Sequence, residues 1–226
     1  MNRKYLAFDI ETAKVLPDDL SEWKSHRPLG IACAATLLAD TDEVVLWEGT
    51  DKMTQEEAAD LVHYLTAQVE KGYTILTWNG LGFDFDILAE ESGLLEQCRQ
   101  LASNHVDPMF HILCQRGFGV SLDAAAKGMD LLGKSMNGAD APKMWAEGKR
   151  EEVLQYVAQD VRTTMEVATA CEALGKFCWI AKSGKLRSMR LPDGWLTVED
   201  AEELPEPNTW WMSDPWKRAS FTAWLR

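Results

Sequence analysis

The 226-residue chain is 46% hydrophobic and 26% charged, a composition that excludes a wholly disordered polypeptide. Its longest apolar run, Ile31 to Ala39, is half the length a bilayer requires, which excludes a helical membrane span. Thirty-six acidic residues against 23 basic ones give a net charge of −13, and this argues against broad electrostatic attraction to nucleic acid.

The N-terminus leads straight into a strand-like segment without signal-peptide anatomy. Cys33, Cys98, Cys114, Cys171 and Cys178 are an odd count with no CxxC pair. Both features predict reduced thiols in a cytoplasmic protein. Lys4–Ile10 alternates as a strand does, and residues 12–28 are polar, proline-containing and loop-like. Leu29–Leu38 and Glu43–Glu48 predict two strands joined by a turn at Asp40-Thr41-Asp42. Thr54 and Glu57 form a capping-box pattern that opens a helix ending near Lys71. Tyr73–Trp78 predicts a fourth strand, and helices are expected over Asp84–Glu91, Leu94–Ser103, Pro108–Arg116 and Ser121–Lys127. His105–Asp107 reads as a short fifth strand, and Gly133–Pro142 as a loop. Arg150–Leu174 is the longest predicted helix, with Val153, Val157, Val161 and Met165 spaced by four on one face. Three strands in succession followed by strand–helix alternation predict an α/β fold, a mixed five-stranded sheet flanked by helices.

Composition changes near Gly175, and a domain edge is expected there, with residues 1–174 as the main domain and 175–226 as an extension. The first part has a net charge of −14 and the second of +1, and six of the ten tryptophans fall in the second. Phe177–Ala181 and Lys185–Arg190 flank Lys182-Ser183-Gly184, which is a hairpin signal, and Val198–Leu204 reads as a short acidic helix. Lys182, Lys185 and Arg187 belong to a basic run without an intervening acid, so the hairpin is either a site for a nucleic-acid backbone or a solvated ribbon. Trp179 and Trp195 are expected to pack the hairpin onto the main domain. Trp210, Trp211, Trp216, Phe221 and Trp224 leave three readings open: stacking on single-stranded bases, docking of a protein partner, or wrapping of the chain's own surface.

The chemistry is expected from carboxylates. Asp9 and Glu11 are two apart at a strand end, so both project from one face while Phe8 and Ile10 take the other. Adjacent carboxylates repel unless a cation joins them, and hard divalent ions want oxygen ligands. The DxE pattern alone is weak, since chance predicts roughly 1.4 matches in a chain of this composition. Asn79-Gly80-Leu81-Gly82-Phe83-Asp84 is far more specific, because N-x3-[FY]-D is expected only about 0.02 times by chance. Asp84 reads either as a helix cap or as a ligand held at a helix N-terminus. Tyr156 and Asp160 lie one turn apart on the long helix, and Asp160 sits at the edge of the valine stripe, where a buried acid needs a partner or a metal. His105 and Asp107 have a spacing that a metal would accept, but a structural role is the reading taken.

FDIET, then N-x3-FD on a strand–helix turn, then Y-x3-D on a long helix resembles, in that order, the DEDD superfamily of 3′–5′ exonucleases. Position 155 is glutamine, not histidine, so the tyrosine subclass is the one resembled. WNGLGFDFDIL and KSMNGADAPKMW look like free-standing relatives of the proofreading domain of family-B DNA polymerases. The resemblance covers residues 4–174 and implies a ribonuclease H-like fold binding two divalent cations, Mg²⁺ or Mn²⁺. It implies that Asp9, Glu11, Asp84 and Asp160 hold the cations, with Asp9 bridging them, and that Tyr156 orients the attacking water. The implied reaction releases 5′-mononucleotides from the 3′ end of single-stranded DNA, with no membrane involved.

Asn79 and Phe83 are expected to help position the terminal nucleotide, and Lys134 and Lys143 to touch phosphate, beside the hairpin cations Lys182, Lys185 and Arg187. The alternatives are the same chemistry on RNA or on short oligonucleotides, and a non-catalytic module that binds nucleic acid or a protein partner through the Trp-rich tail.

Overall fold

The computed structural model describes residues 3–16, 23–131 and 138–226. Its first strand, β1 (Lys4–Thr12), is apolar on both sides for most of its length, as a central strand must be. Leu6, Phe8 and Ile10 point into one core, while Tyr5 and Ala7 point into another on the opposite face. β2 (Ile31–Leu38) and β3 (Val44–Glu48) follow as an antiparallel meander, with Asp42 in the left-handed region at φ 53° in the turn between them. Helix α1 (Gln55–Glu70) opens with the anticipated capping box, in which the Thr54 hydroxyl accepts from Glu57 N and the Glu57 carboxylate accepts from Thr54 N at 2.7 Å. After it, β4 (Tyr73–Leu76) pairs parallel to β1, giving the sheet order β3-β2-β1-β4.

The chain then passes through α2 (Asp84–Ser92), α3 (Leu95–Asn104), α4 (Pro108–Arg116), α5 (Leu122–Gly128), α6 (Ala141–Ala146) and α7 (Arg150–Leu174). Leu61 and Leu65 of α1, Phe85 and Leu88 of α2 and Leu101 of α3 cover the face with Phe8 and Ile10. The other face is covered by α7 through Val153, Val157, Val161 and Ala168, with help from α5 and α6. Gly175, at φ 58°, ends α7 in a left-handed turn and sends the chain into the antiparallel hairpin of β5 (Lys176–Ile180) and β6 (Leu186–Arg190). Phe177, Trp179, Met189 and the fully buried Trp195 join the α7 core, so the residues after Gly175 share the hydrophobic interior of those before it. Two short helices, α8 (Val198–Glu202) and α9 (Ala219–Thr222), complete the chain. No helix among the described residues is long and apolar enough to cross a membrane.

Two expectations change in detail. The sheet has four strands, and the anticipated fifth contracts to isolated bridges at Val106, antiparallel to Thr197 and parallel to Leu76, where Val106 N donates to Ile75 O at 2.9 Å and Thr77 N donates to Val106 O at 3.1 Å. The reason is local. Asp107 caps α4 and Pro108 occupies its first turn, so the chain turns helical immediately after Val106. The expected loop over Gly133–Pro142 falls largely outside the described residues, but its end is helical, since α6 starts at Ala141 with Pro142 in its first turn.

Buried histidines give the fold a pH dependence. His105 Nδ1 meets Ala102 O at 2.6 Å, and that carbonyl can only accept, so Nδ1 carries the proton and Nε2 accepts from the Thr77 hydroxyl at 3.0 Å. His111 Nδ1 accepts from Leu196 N at 3.2 Å. Burial disfavours the charged ring in both cases and pushes each down to about 4. Asp107 moves the other way, pushed up to about 6 by burial against the pull of its amide donors. Between the unfolded histidine value and about pH 4, the unfolded chain therefore binds two histidine protons that the folded chain refuses. The folded chain retains one extra proton on Asp107. The net is about one proton more on the unfolded state, so stability falls as pH is lowered, by at most about 1.4 kcal/mol per pH unit. Thermal unfolding from pH 7 to 4.5 should show this decline. His111→Asn keeps an acceptor for Leu196 N and should flatten it; an unchanged slope would show that His111 is not one of its sources.

Candidate active site

β1 delivers two acids to one place. Glu11 pairs opposite Cys33 and Asp9 opposite Ala35, and both side chains leave the sheet on the α7 face. A register shift between Glu11 and Thr12 ends the regular pairing just beyond the second acid. On α7, the valine stripe seats the helix on β1 and β2 and turns the neighbouring Tyr156 and Asp160 inward, where both are buried. Carboxylate oxygens of Asp9, Glu11 and Asp160 lie within 4.8 Å of one another. Glu11 and Asp160 are almost fully buried, and Asp9 is half-buried. The Cys33 thiol behind them is pushed well above its usual range, first by burial and then by the charges of Glu11 and Asp9, so it stays protonated and offers no thiolate.

The fourth acid arrives from the turn between β4 and α2. Asn79 adopts a left-handed φ of 74°, after which Gly80 to Phe83 lead to Asp84 as the first residue of α2. Asp84 Oδ1 accepts from Ile10 N at 3.0 Å, which ties it to β1 between Asp9 and Glu11. The turn is locked three times. Asp107 accepts from Asn79 N at 3.0 Å and Phe110 N at 3.2 Å through one oxygen, and from Leu81 N at 3.1 Å through the other. The Thr77 hydroxyl, which donates to His105, accepts from Gly80 N at 3.1 Å. From outside, Trp224 Nε1 donates to Leu81 O at 2.8 Å, and the Phe221 ring covers Gly82 so closely that a Cβ there would stand 2.6 Å from it. Arg99 in turn holds the Trp224 carbonyl at 3.0 Å and the Arg226 carbonyl at 2.8 Å.

All five anticipated residues, Asp9, Glu11, Asp84, Tyr156 and Asp160, line one cleft of about 550 Å³, together with Asn79 and Phe83. Tyr156 directs its hydroxyl to Gly138, where a Cβ would be 3.2 Å from the phenol oxygen and 3.9 Å from Glu11 Oε1. Trp23, Trp78, Gly138 and Asp140 also line the cleft, and sequence reasoning did not single out Trp23, Gly138 or Asp140. Trp23 sat inside a polar stretch with no period to mark it. It is held by an edge contact to Phe83 at 5.1 Å and by Arg27, which stacks on it while pairing with the buried Asp86 at 2.7 Å. Lys134 lies outside the described residues. Lys143 is exposed on α6 beside Pro142, which does line the cleft. Lys182, Lys185 and Arg187 are exposed on the hairpin and stand apart from the cleft, linked to it through Trp78, whose ring is 6.3 Å from that of Phe177. His105 and Asp107 take the structural role expected of them.

A family model of the RNase_H superfamily matches residues 6–171, well over half of the sequence. The chain belongs to the RNase H superfamily. Among solved structures, the family B DNA polymerase from the hyperthermophilic archaeon Pyrobaculum calidifontis is similar in fold, with a TM-score of 0.57 at 18% identity. The match covers 76% of this chain and 25% of the polymerase, so the chain spans about a quarter of that enzyme's length. Comparison with curated proteins gives no match.

The chemistry of the donor set suits a metal. Oxygen ligands only, three within 4.8 Å and a fourth fixed to the same strand, match what hard divalent cations require. Because Asp107 holds the turn that brings Asp84, Asp107→Asn should present an N–H to an amide that now has an acceptor. We expect a loss of about 2–3 kcal/mol and a fall in the thermal midpoint of about 5–10 °C. Mn²⁺ affinity by calorimetry should fall with it, and unchanged affinity would mean that the turn is held without Asp107.

Proposed function

We propose that the chain is a nuclease that hydrolyses single-stranded DNA from the 3′ end with two divalent cations, Mg²⁺ or Mn²⁺, releasing 5′-mononucleotides. The observation that carries this reading is the meeting of Asp9, Glu11 and Asp160 in one cleft with Asp84 and Tyr156. The four carboxylates would hold the cations, which when bound neutralise phosphate charge and make water more acidic. Positioning falls to the chain's own groups. The Tyr156 hydroxyl orients a water for attack on phosphorus, and because a phenol titrates near about 10 it aligns that water without acting as a strong base. As the water oxygen bonds to phosphorus its proton passes to solvent, the bond from phosphorus to the 3′ oxygen breaks, and the 3′ oxygen leaves with a proton drawn from solvent. Asn79 and Phe83 line the cleft beside the acids, which supports a role for them in holding the terminal nucleotide.

Superfamily membership supports the nuclease, and the shared fold of a DNA polymerase favours DNA over RNA. We assign the reaction to residues 1–174 and strand holding to 175–226. All five cysteines are free and buried, which suits a reducing cytoplasm.

The deciding experiment is a time course on 5′-labelled single-stranded DNA, matched RNA and a dinucleotide, with Mg²⁺, Mn²⁺ or EDTA. A metal-dependent ladder shortening from the 3′ end of DNA is expected. Asp9→Ala and Asp160→Ala should lower the rate at least about 10³-fold, and Tyr156→Phe about 10- to 100-fold. Full activity in Asp160→Ala would falsify the assignment; cleavage of RNA or of the dinucleotide alone would move the substrate and keep the site.

A further inference from the structure

The extension presents cations and aromatic rings that the cleft does not use. Lys176, Lys182, Lys185, Arg187 and Arg190 form no ion pair among the described residues. In a chain of net charge −13, five cations without a counterion on one small ribbon are unexpected. The antiparallel register pairs Arg187 with Trp179, so the guanidinium and the indole leave the ribbon on the same face. From the buried Trp179, Phe118 is 6.2 Å away, and the exposed Trp211 meets Phe118 edge-on at 6.3 Å.

Trp216 lies across Gly119, donates its backbone N–H to Gly117 O at 3.0 Å, and stacks on Phe221 at 5.9 Å. Phe221 is the ring that covers Gly82 in the turn leading to Asp84. Two groups of rings therefore lie on this side of the molecule: Trp216 and Phe221 over the turn that leads to Asp84, and Trp211 and Phe118 beside Trp179 of the cationic hairpin. Phe221 and Trp224 are turned inward and hold the fold. Trp210, Trp211 and Trp216 are 84%, 60% and 48% exposed, far more than self-packing requires of an indole.

We infer that the hairpin cations Lys182, Lys185 and Arg187, together with Trp210 and Trp211, form a binding track for single-stranded nucleic acid outside the carboxylate cleft. The inference rests on the proposed nuclease reading for the direction of the strand, but the surface itself is argued from its own residues. Cations without counterions complement a phosphate backbone, and exposed indoles offer faces on which unpaired bases stack without regard to sequence. The track separates two tasks: a body of net charge −14 admits the strand only at its cation-filled cleft, and the near-neutral extension retains the strand behind it.

The test uses full-length protein with Asp9→Ala, in EDTA, so that binding is read without hydrolysis. The probes are 5′-fluorescein dT20 and dT4, followed by anisotropy and by quenching of intrinsic tryptophan fluorescence. The 20-mer should bind at least about tenfold more tightly than the 4-mer and quench the tryptophans. Trp210→Ala with Trp211→Ala should weaken 20-mer binding about tenfold. Lys182→Ala, Lys185→Ala and Arg187→Ala together should lower the slope of log Kd against log salt by about 2. These side chains are exposed, so the thermal midpoint should stay at the parent value. In the wild-type background the same changes should slow hydrolysis of the 20-mer.

Parental 20-mer affinity in both variants would overturn the track, and would indicate that the tryptophans face a protein partner instead. Failure of the nuclease reading looks different: no cleavage of any probe by wild-type protein, while 20-mer binding still depends on the track residues.

Discussion

Three carboxylates within 4.8 Å repel one another, and burying them makes the repulsion worse. An arrangement of this kind persists only if each acid is borne by an element that cannot move away. Asp9 and Glu11 are on a central strand of the sheet, held by β2 from Leu6 to Thr12 and by β4 from Lys4 to Ala7. Asp160 is on a 25-residue helix seated on that strand by four small or branched apolar residues. None of these supports lies in a flexible segment. A loop could relieve such repulsion by opening, whereas these elements keep the oxygens together in the oxygen-only set that hard divalent cations require.

Asp84 follows a different logic, because it comes from a turn. Its rigidity is supplied by three separate locks on the backbone from Thr77 to Gly82, provided by Asp107, the His105–Thr77 pair and the C-terminal segment. Asp107 is buried, and the backbone amides that donate to it oppose the rise that burial causes. It thus serves two structures with one carboxylate, capping α4 and closing the turn before α2. The C-terminal lock adds a consequence for the tail: residues 218–226 are framework, whereas 210 and 211 are surface. The three readings that the sequence left open for the tail aromatics divide by residue and are not alternatives for the whole segment.

The elements that were legible in the sequence are those whose signals are local. Thr54 with Glu57 announced α1, the valines of α7 announced its buried face, and Lys182-Ser183-Gly184 announced the hairpin. The acids were grouped through the order of FDIET, N-x3-FD and Y-x3-D and the family that this order resembles; strand and helix period only assigned faces to Asp9, Glu11 and Asp160. What stayed hidden depends on contacts between distant segments. His105–Asp107 looked like a short strand, but the cap at Asp107 and the proline after it start a helix there. Trp23 and Gly138 line the cleft through Arg27–Asp86 and Tyr156 respectively, and neither partner can be inferred from neighbours in sequence. Nor could the pattern distinguish Phe221, packed on Gly82, from Trp211, exposed beside Phe118.

The uneven charge gains a physical meaning once the acids are located. A net charge of −14 over residues 1–174 opposes a polyanion everywhere except where cations neutralise it, so non-productive adsorption of a strand to the body is suppressed. Repulsion alone would also weaken productive binding, because the few phosphates that the cleft can contact yield little affinity in salt. Stacking escapes this limit, since contacts between bases and indole faces do not depend on counterion release and survive at ionic strengths where phosphate contacts fade. Trp216, stacked on the Phe221 ring that covers Gly82, and Trp211, set against Phe118, would on the proposed reading give an acidic protein a kind of contact to a strand that its own charge does not oppose.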